Sequence, residues 1–584
     1  MQFITNALLR GKAWIFVSLL LLTAMGTMAQ RTPQTQKRPN IILILADDMG
    51  YSDIGCMGSE ISTPNLDLLA ADGLLYTRFY NTPRCSPSRA SLLTGLYPHQ
   101  TGMGWLADKN FHKPGYEGTL NDQCVTIAQV LKGAGYSTYM SGKWHVTNYA
   151  TANGPKDNWP LQRGFDKFYG IIKGGGNYYD EATLCRGNEL ISPTTDPQYH
   201  PKAFYFTNAV SDNAVKFIDE HTDSNPFFMY VAYTTPHWPM QAPPAAIQQY
   251  AKQYDAGWEV TREARYERMK ALGILGPDAQ LSPSDAPSWD GIKNKQAMAR
   301  RMETYAAMIT IMDQGIGEIM NELKRKHEFD NTIILFLSDN GGNAEVEGAG
   351  PSKPIVDTAG LIPIKKGAVQ YDIWTPYTRS GQVVMGGLDV MAGPANSFVS
   401  YLKGWANVSN TPYRKYKHWA NEGGISTPLI VHWPGGIKSK GVIRPQVEQL
   451  IDIMPTLVEL AGATYPKNYK GHAILPMEGL SMVPTFENKR APQRPLFWEH
   501  ETHRAVRLGH WKILSTGPLT TPWKLYDLNT DGIEETDLSA EHPVVVQQMK
   551  EMWMKWALRC EVFPSPYKPL QDIDVDSLKR SYEN

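Results

Sequence analysis

The chain has 584 residues and a formal net charge of −1, from 57 Lys and Arg against 58 Asp and Glu. It is long enough for two or more structural units, and its charge balance gives no reason to expect nucleic acid or an anionic membrane surface as a partner. Any anion it recognises must be recognised locally.

The N-terminus reads as a secretory signal peptide. Arg10 and Lys12 precede the apolar run WIFVSLLLLTAM, and small residues permit cleavage after Ala29, a run too short and wrongly flanked to be a lasting membrane span. The mature chain is expected to start near Gln30, exported and free of the membrane. The five cysteines, Cys56, Cys85, Cys124, Cys185 and Cys560, are sparse and irregularly spaced with no CxxC pair. They form neither a disulfide framework nor a structural zinc site.

Apolar strand-like runs follow, each meeting polar residues able to do chemistry. NIILILA ends in Asp47-Asp48, STYMSG in Lys143 and His145, FFMYVAYTT in Pro236-His237, and TIILFLS in Asp339-Asn340, while STPLIVHWPG follows Glu422. Runs apolar on both faces are expected of buried parallel strands. Between them lie the helical patterns CVTIAQVLKGAG, NAVSDNAVKFIDEH and METYAAMITIMDQGIGEIMNELKRK. This alternation predicts a doubly wound α/β fold with a mostly parallel sheet, in which ligands bind beyond the carboxyl ends of the strands.

Cys85 opens CSPSRASLLTG, whose Pro87 suits a first helical turn and whose Gly95 suits a stop. A helix N-terminus, with Arg89 four residues on, favours anionic chemistry at the residue 85 side chain. A small buried hydrophobe is the plain alternative.

Residues 345–421, rich in Gly, Pro and aromatics, are too long for a simple connection and are expected to shape a pocket. After residue 465, FWEHETHRAVRLGHWKILS and WKLYDLN read as short antiparallel strands and VVVQQMKEMWMKWAL as a closing amphipathic helix. The expected organisation is therefore 1–29 signal, 30–465 catalytic α/β domain and 466–584 a smaller C-terminal α+β domain.

Asp47, Asp48, Asp339 and Asn340 bring hard oxygen donors from two distant strand ends, a set suited to Ca²⁺ or Mg²⁺ rather than zinc. The Asp pair alone would read as exposed loop acids. Its partnership with SDNGG raises the metal reading above that.

At this point the sequence resembles the formylglycine-dependent sulfatases of the alkaline phosphatase superfamily. CSPSRASLLTG matches the C-x-P-S-R-x-x-L-L-T-G signature of that family, and GKWH at 142–145 matches a second one. ADDMGYSDIG, TPHWP, SDNGG, EGGISTP and IDIMPTL extend the likeness over roughly residues 38–515. The resemblance implies an alkaline-phosphatase-like fold and conversion of Cys85 to Cα-formylglycine by a maturation enzyme. Hydrated, that aldehyde carries two hydroxyls on one carbon, one to attack sulfur and one to expel sulfate.

The resemblance also implies that Asp47, Asp48, Asp339, Asn340 and the residue 85 oxygen hold Ca²⁺. Arg89 would steady the hydrate, Lys143 and Lys417 would neutralise sulfate oxygens, His237 would protonate the departing alcohol and His145 would serve the second hydroxyl. Trp498, Glu499, His500, His503 and Arg504 in the C-terminal part, with Asn177, Tyr178, Asp180 and Glu345 in loops, offer aromatic and hydrogen-bonding groups for a sugar.

The expectation is an exo-acting carbohydrate sulfatase of a bacterial periplasm, with galactose 3-O-sulfate the first choice of substrate ahead of 6-O-sulfated N-acetylglucosamine. The alternatives are a phosphodiester or phosphonate hydrolase of the same superfamily and a non-catalytic glycan-binding protein. No catalytic residue that would mark such a loss is missing.

Overall fold

Eleven strands form the central sheet, and its order explains where the functional residues meet. They are β1 (Asn40–Ala46), β2 (Leu74–Tyr80), β3 (Ser137–Lys143), β4 (Lys167–Ile171), β5 (Leu184–Arg186), β6 (Glu189–Leu190), β7 (Phe227–Ala232), β8 (Thr332–Ser338), β9 (Ser426–His432), β10 (Val442–Arg444) and β11 (Glu448–Gln449). The order is β10-β2-β9-β8-β1-β7-β3-β4-β5-β6, with β11 also paired to β2. The structure is a computed structural model and describes residues 37–571 and 573–582. The expected signal segment 1–29 lies outside the described residues.

Strands β8, β1, β7, β3 and β4 are mutually parallel. β9 runs antiparallel to both β8 and β2, against the expectation that every fully apolar run is a parallel strand. All seven of its residues are buried because it lies centrally, covered on both faces. Its apolar pattern therefore reports burial and not direction. The start of β9 lies at the edge where β1, β2, β3, β7 and β8 end, so a residue just before β9 joins residues just after the others.

Helices cover both faces, as a doubly wound sheet requires. They are α1 (Pro64–Ala71), α2 (Cys85–Thr94), α3 (Ile127–Gly133), α4 (Phe206–Asp219), α5 (Lys295–Arg325) and α6 (Ile453–Leu460). Alternate residues of β1 divide between the two cores: Ile42 and Ile44 pack with α1, α4 and α5, whereas Ile41, Leu43 and Leu45 pack with α2, α3 and α6. α5 is 31 residues long and starts before the expected METY. α3 begins at a capping box in which Thr126 Oγ1 accepts from Gln129 N at 3.2 Å, so helix starts at Ile127 and not at the cysteine that opens the pattern.

Beyond the large sheet, β12 (Leu496–His500), β13 (His503–Leu508), β14 (Trp511–Thr516) and β15 (Lys524–Asp527) form an antiparallel four-stranded sheet backed by α7 (Pro543–Arg559). Val506, Ile513, Leu525 and Trp553 give it a core of its own, which reaches Tyr97 and Ile451 of the preceding part. Among the described residues no helix is long and apolar enough to cross a membrane.

Candidate active site

Residue 85 is the first residue of α2, and Arg84 before it is extended with φ −152° and ψ 148°. Gly95 closes the helix in the left-handed region at φ 70°, the stop its sequence position suggested. All ten helical residues are buried. Cys85 Sγ lies 3.6 Å from His145 Nδ1. The thiol is thus held at a strand-edge helix start, against a histidine carried by the end of β3.

Three carboxylates and three cations meet beneath it. Lys143 Nζ donates to Asp47 Oδ2 at 2.6 Å, Lys417 Nζ to Asp48 Oδ2 at 2.8 Å, and Arg89 Nη2 to Asp339 Oδ2 at 3.2 Å while lying 3.5 Å from Asp47. Asn340 Nδ2 donates to Asp48 Oδ1 at 2.7 Å. Asp47 Oδ1 and Asn340 Oδ1 are buried and have no hydrogen-bond partner, an expensive arrangement for polar atoms that nothing else will claim. Both are hard oxygens, and with the neighbouring carboxylates that donor set fits a divalent cation. Asp47, Asp48 and His237 also offer ligand atoms within 4.8 Å of one another.

The electrostatics agree. Burial raises the Asp47 carboxyl, but Lys143 and then Arg89 overcome it and hold the group well below the usual carboxylate range. Burial and then the charge of Asp47 push Asp339 well up, with Arg89 opposing. Such mutual pressure between acids is relieved by more positive charge. Asp48 and His145 are themselves in the left-handed region at φ 63° and 54°, a cost of about 1–3 kcal/mol each for non-glycine residues and common where a site dictates the backbone.

Glycines let the segments approach this closely. A Cβ on Gly341 would stand 1.9 Å from the carbonyl oxygen of Gly423, so SDNGG and EGG can lie against each other only because no side chain intervenes. That contact brings Asp339 and Asn340 to the loop of Lys417. Gly174 backs the His145 ring, with a would-be Cβ 2.6 Å from Cε1.

His237 follows β7. Its Nδ1 lies 2.7 Å from the Trp238 carbonyl oxygen, which accepts and so assigns the proton to Nδ1, leaving Nε2 to face Lys417 Nζ and Asp48 Oδ2, both at 3.4 Å. Burial lowers the pKa of His237 against the pull of Asp48. Burial and then Lys143 push His145 down to about 4, so that ring is neutral at pH 7. Burial would lower Lys417, but Asp48 and then Glu345 raise it well above the usual lysine value.

The cavity above residue 85 has a volume of about 390 Å³. Cys85, His145, His237 and Lys417 reach its wall, together with Arg84, Glu345 and an apolar side made by Leu106, Trp238, Val346, Ile373 and Trp374. Segment 345–421 thus does shape the pocket. Glu345 is a hub: its carboxylate accepts from Trp238 Nε1 at 2.5 Å and Asn343 Nδ2 at 2.8 Å, and lies 3.0 Å from His418 Nε2, 3.5 Å from Lys417 Nζ and 3.6 Å from Arg84 Nη2.

Other sugar-reading candidates lie elsewhere. Arg504 is fully buried in the four-stranded sheet, donating to Gly517 O, Ser515 Oγ and Pro518 O at 2.8–3.0 Å. Trp498 is buried with Nε1 on Asn81 O at 2.7 Å. Asn177 donates to Ala395 O, Asp180 is paired to Arg379 at 2.7 Å, and Tyr178 OH to Thr234 O and His237 O. Glu499 holds His99, and His503 packs on Trp419. None of these borders the cavity. His500 is stacked on Trp105 at 5.2 Å, behind the wall where Arg84 covers the same indole.

Residues that sequence reasoning passed over are Arg84, Asn343, Trp238 and His418. Asn343 donates to Asp48 Oδ2 at 2.7 Å as well as to Glu345. Its signal was its place three residues after Asn340, and that of Arg84 its place directly before residue 85.

Comparison with known proteins bears on most of the chain. The family described as Sulfatase matches residues 39–463, and N-sulphoglucosamine sulphohydrolase, C-terminal, matches 414–557. An uncharacterized sulfatase of Schizosaccharomyces pombe is 33% identical over 92% of this chain and 97% of its own length. An arylsulfatase of Klebsiella aerogenes is 35% identical over 76% of this chain and 92% of its own. The structure of Ps i-CgsB in complex with k-i-k-neocarrahexaose shares the fold at a TM-score of 0.62, with 24% identity over 94% of this chain and 98% of that one. The alkaline-phosphatase-like α/β sheet, its acidic carboxyl edge and these matches together identify the chain as a member of the sulfatase family, a sulfuric ester hydrolase.

Proposed function

We propose that this sulfatase is exported and removes the sulfate from one terminal sugar of a small glycan, with Cys85 converted to formylglycine by a maturation enzyme. The observation that carries the reading is the composition of the cavity above residue 85. Opposed Arg84 and Glu345 offer a donor and an acceptor to sugar hydroxyls, and Trp238 and Trp374 offer ring faces. Asp108, Glu345 and Glu347 around it disfavour a chain with many sulfates.

Asp47, Asp48, Asp339 and Asn340 with the residue 85 oxygen would hold Ca²⁺, which would supply Lewis-acid charge to the site. Formylglycine hydrate supplies two hydroxyls on one carbon. Arg89 steadies the hydrate, and Lys143 and Lys417 meet the charge that develops on sulfate. His237 Nε2 delivers a proton to the departing sugar oxygen, fed by the Lys417 ammonium 3.4 Å away. Neutral His145, 3.6 Å from residue 85, takes the proton of the second hydroxyl when sulfate is expelled.

The test is a panel run on protein whose residue 85 peptide has been weighed by mass spectrometry. It contains 3-O-sulfated galactose first, 6-O-sulfated N-acetylglucosamine, an aryl sulfate, a phosphodiester and a sulfated polymer. Formylglycine with release of sulfate from a terminal sugar is expected, and Arg84→Ala and Glu345→Ala should lose that activity while keeping the aryl sulfate. An active preparation containing only cysteine, preferential cleavage of internal polymer sulfates, or equal losses on both substrate types would overturn the reading.

A further inference from the structure

A second cavity, of about 320 Å³, adjoins the first and shares Asp108, His145, Ile373 and Trp374 with it. Each volume lies within the roughly 300–1,000 Å³ usual for small-ligand sites. The Trp374 side chain is 47% exposed and borders both spaces, so an indole surface faces whatever extends from one to the other. The first cavity contains residue 85, whereas Thr147, Asn148, Lys173 and Asp372 belong to the second alone.

The far wall of the second cavity differs in chemistry from the apolar side of the first. Lys173 Nζ is anchored on Tyr371 O at 2.7 Å, which leaves two of its three donors for a ligand. Asp372 is exposed, and the side chain of Asp108 is 56% exposed. Two carboxylates against one ammonium leave a local formal charge of −1. That balance suits hydroxyl groups, which can both donate to the acids and accept from the lysine, and it repels a further sulfate.

We propose that the second cavity binds the uncharged sugar unit next to the sulfated one, so that the preferred substrate is at least a disaccharide carrying sulfate on its terminal unit only. The inference rests on the sugar reading of the first cavity. Lys173 and Asp372 bind the neighbouring unit through its hydroxyls, and Trp374 packs against the junction. Neither Lys173 nor Asp372 touches the residues beneath residue 85, so the contribution of the second cavity is separable from the chemistry.

Initial rates are compared on a terminally sulfated monosaccharide, the disaccharide that extends it with an unsulfated sugar, and the same disaccharide sulfated on both units. The singly sulfated disaccharide should exceed the monosaccharide about tenfold in kcat/KM through a lower KM, the effect of one or two net hydrogen bonds. The doubly sulfated one should fall below the singly sulfated one. Lys173→Ala and Asp372→Ala should erase the advantage while monosaccharide turnover stays at the wild-type level. Equal kcat/KM on mono- and disaccharide in the wild type, or equal losses on both in the variants, would overturn the second cavity and leave the sugar reading standing. Turnover of an aryl sulfate with none of any sugar sulfate would overturn that reading and this inference with it.

Discussion

Two arginines, Arg89 and Arg504, are both fully buried, and their surroundings separate the candidate site from the four-stranded sheet. Arg504 gives its hydrogen bonds to two carbonyls and a hydroxyl, with its guanidinium 5.4 Å over the ring of Trp523. Arg89 instead meets two carboxylates, Asp47 held down by Lys143 and Arg89 against its burial and Asp339 pushed up by burial and by Asp47. Neutral acceptors around a buried cation make a scaffold. Competing charges with unpartnered oxygens, as at Asp47 Oδ1 and Asn340 Oδ1, make a donor set suited to a cation.

The strongest way to break that contrast is to remove an acid from the crowd. Asp339→Ala should abolish binding of the divalent cation and lower sulfate release by ~10⁴-fold or more, since several kcal/mol of charge stabilisation leave with the cation. Elemental analysis of the folded variant, beside wild type stripped by a chelator and restored with Ca²⁺, checks it. Undiminished activity in thoroughly stripped wild type would show that the leftover oxygens serve no cation.

A smaller effect, dependent on the substrate, is expected at His237. His237→Ala should cost ~10³-fold on an alkyl or sugar sulfate, within the range of about 10²–10⁴ for general acid catalysis, and at most about tenfold on an activated aryl sulfate. The aryl alcohol leaves without the proton. Matching losses on both would make His237 a positioning residue for Lys417, its neighbour at 3.4 Å.

Much of the candidate site was legible because its residues come in contiguous motifs at the ends of buried runs. Asp47, His237 and Asp339 each follow a strand that the apolar pattern reveals, and Lys143 is the last residue of one. The direction of β9 was not legible, because burial on both faces writes the same apolar run whether a strand is parallel or antiparallel. The sugar-reading set was harder still. FWEHETHRAVRLGHW carries every residue type a sugar site needs, yet Arg504 and Trp498 find their partners within the scaffold. Arg84 acquires its meaning only when Glu345 arrives from 261 residues away, a pairing no local pattern encodes.

The smallest expected effect joins the two regions. His503 lies on β13, its Nδ1 2.9 Å from Thr516 Oγ1 and its ring 4.2 Å from that of Trp419, two residues beyond Lys417. Burial pushes its pKa from 6.5 down to about 4, Glu501 opposing. The unfolded chain therefore takes up a proton at this residue as pH falls through about 6.5, whereas the folded chain resists until about 4. Stability is full above the first value and is lost progressively down to the second, by roughly 3 kcal/mol at 1.36 kcal/mol per pKa unit. Denaturant melts of wild type and His503→Gln at several pH values isolate the contribution, because the other titrating groups are common to both. The stability of wild type relative to the variant should fall as pH drops from 6.5 to 4, the variant losing less over that range. Parallel curves would mean that His503 protonates as freely in the folded protein as in the unfolded one, and that its packing against the Lys417 loop yields to charge.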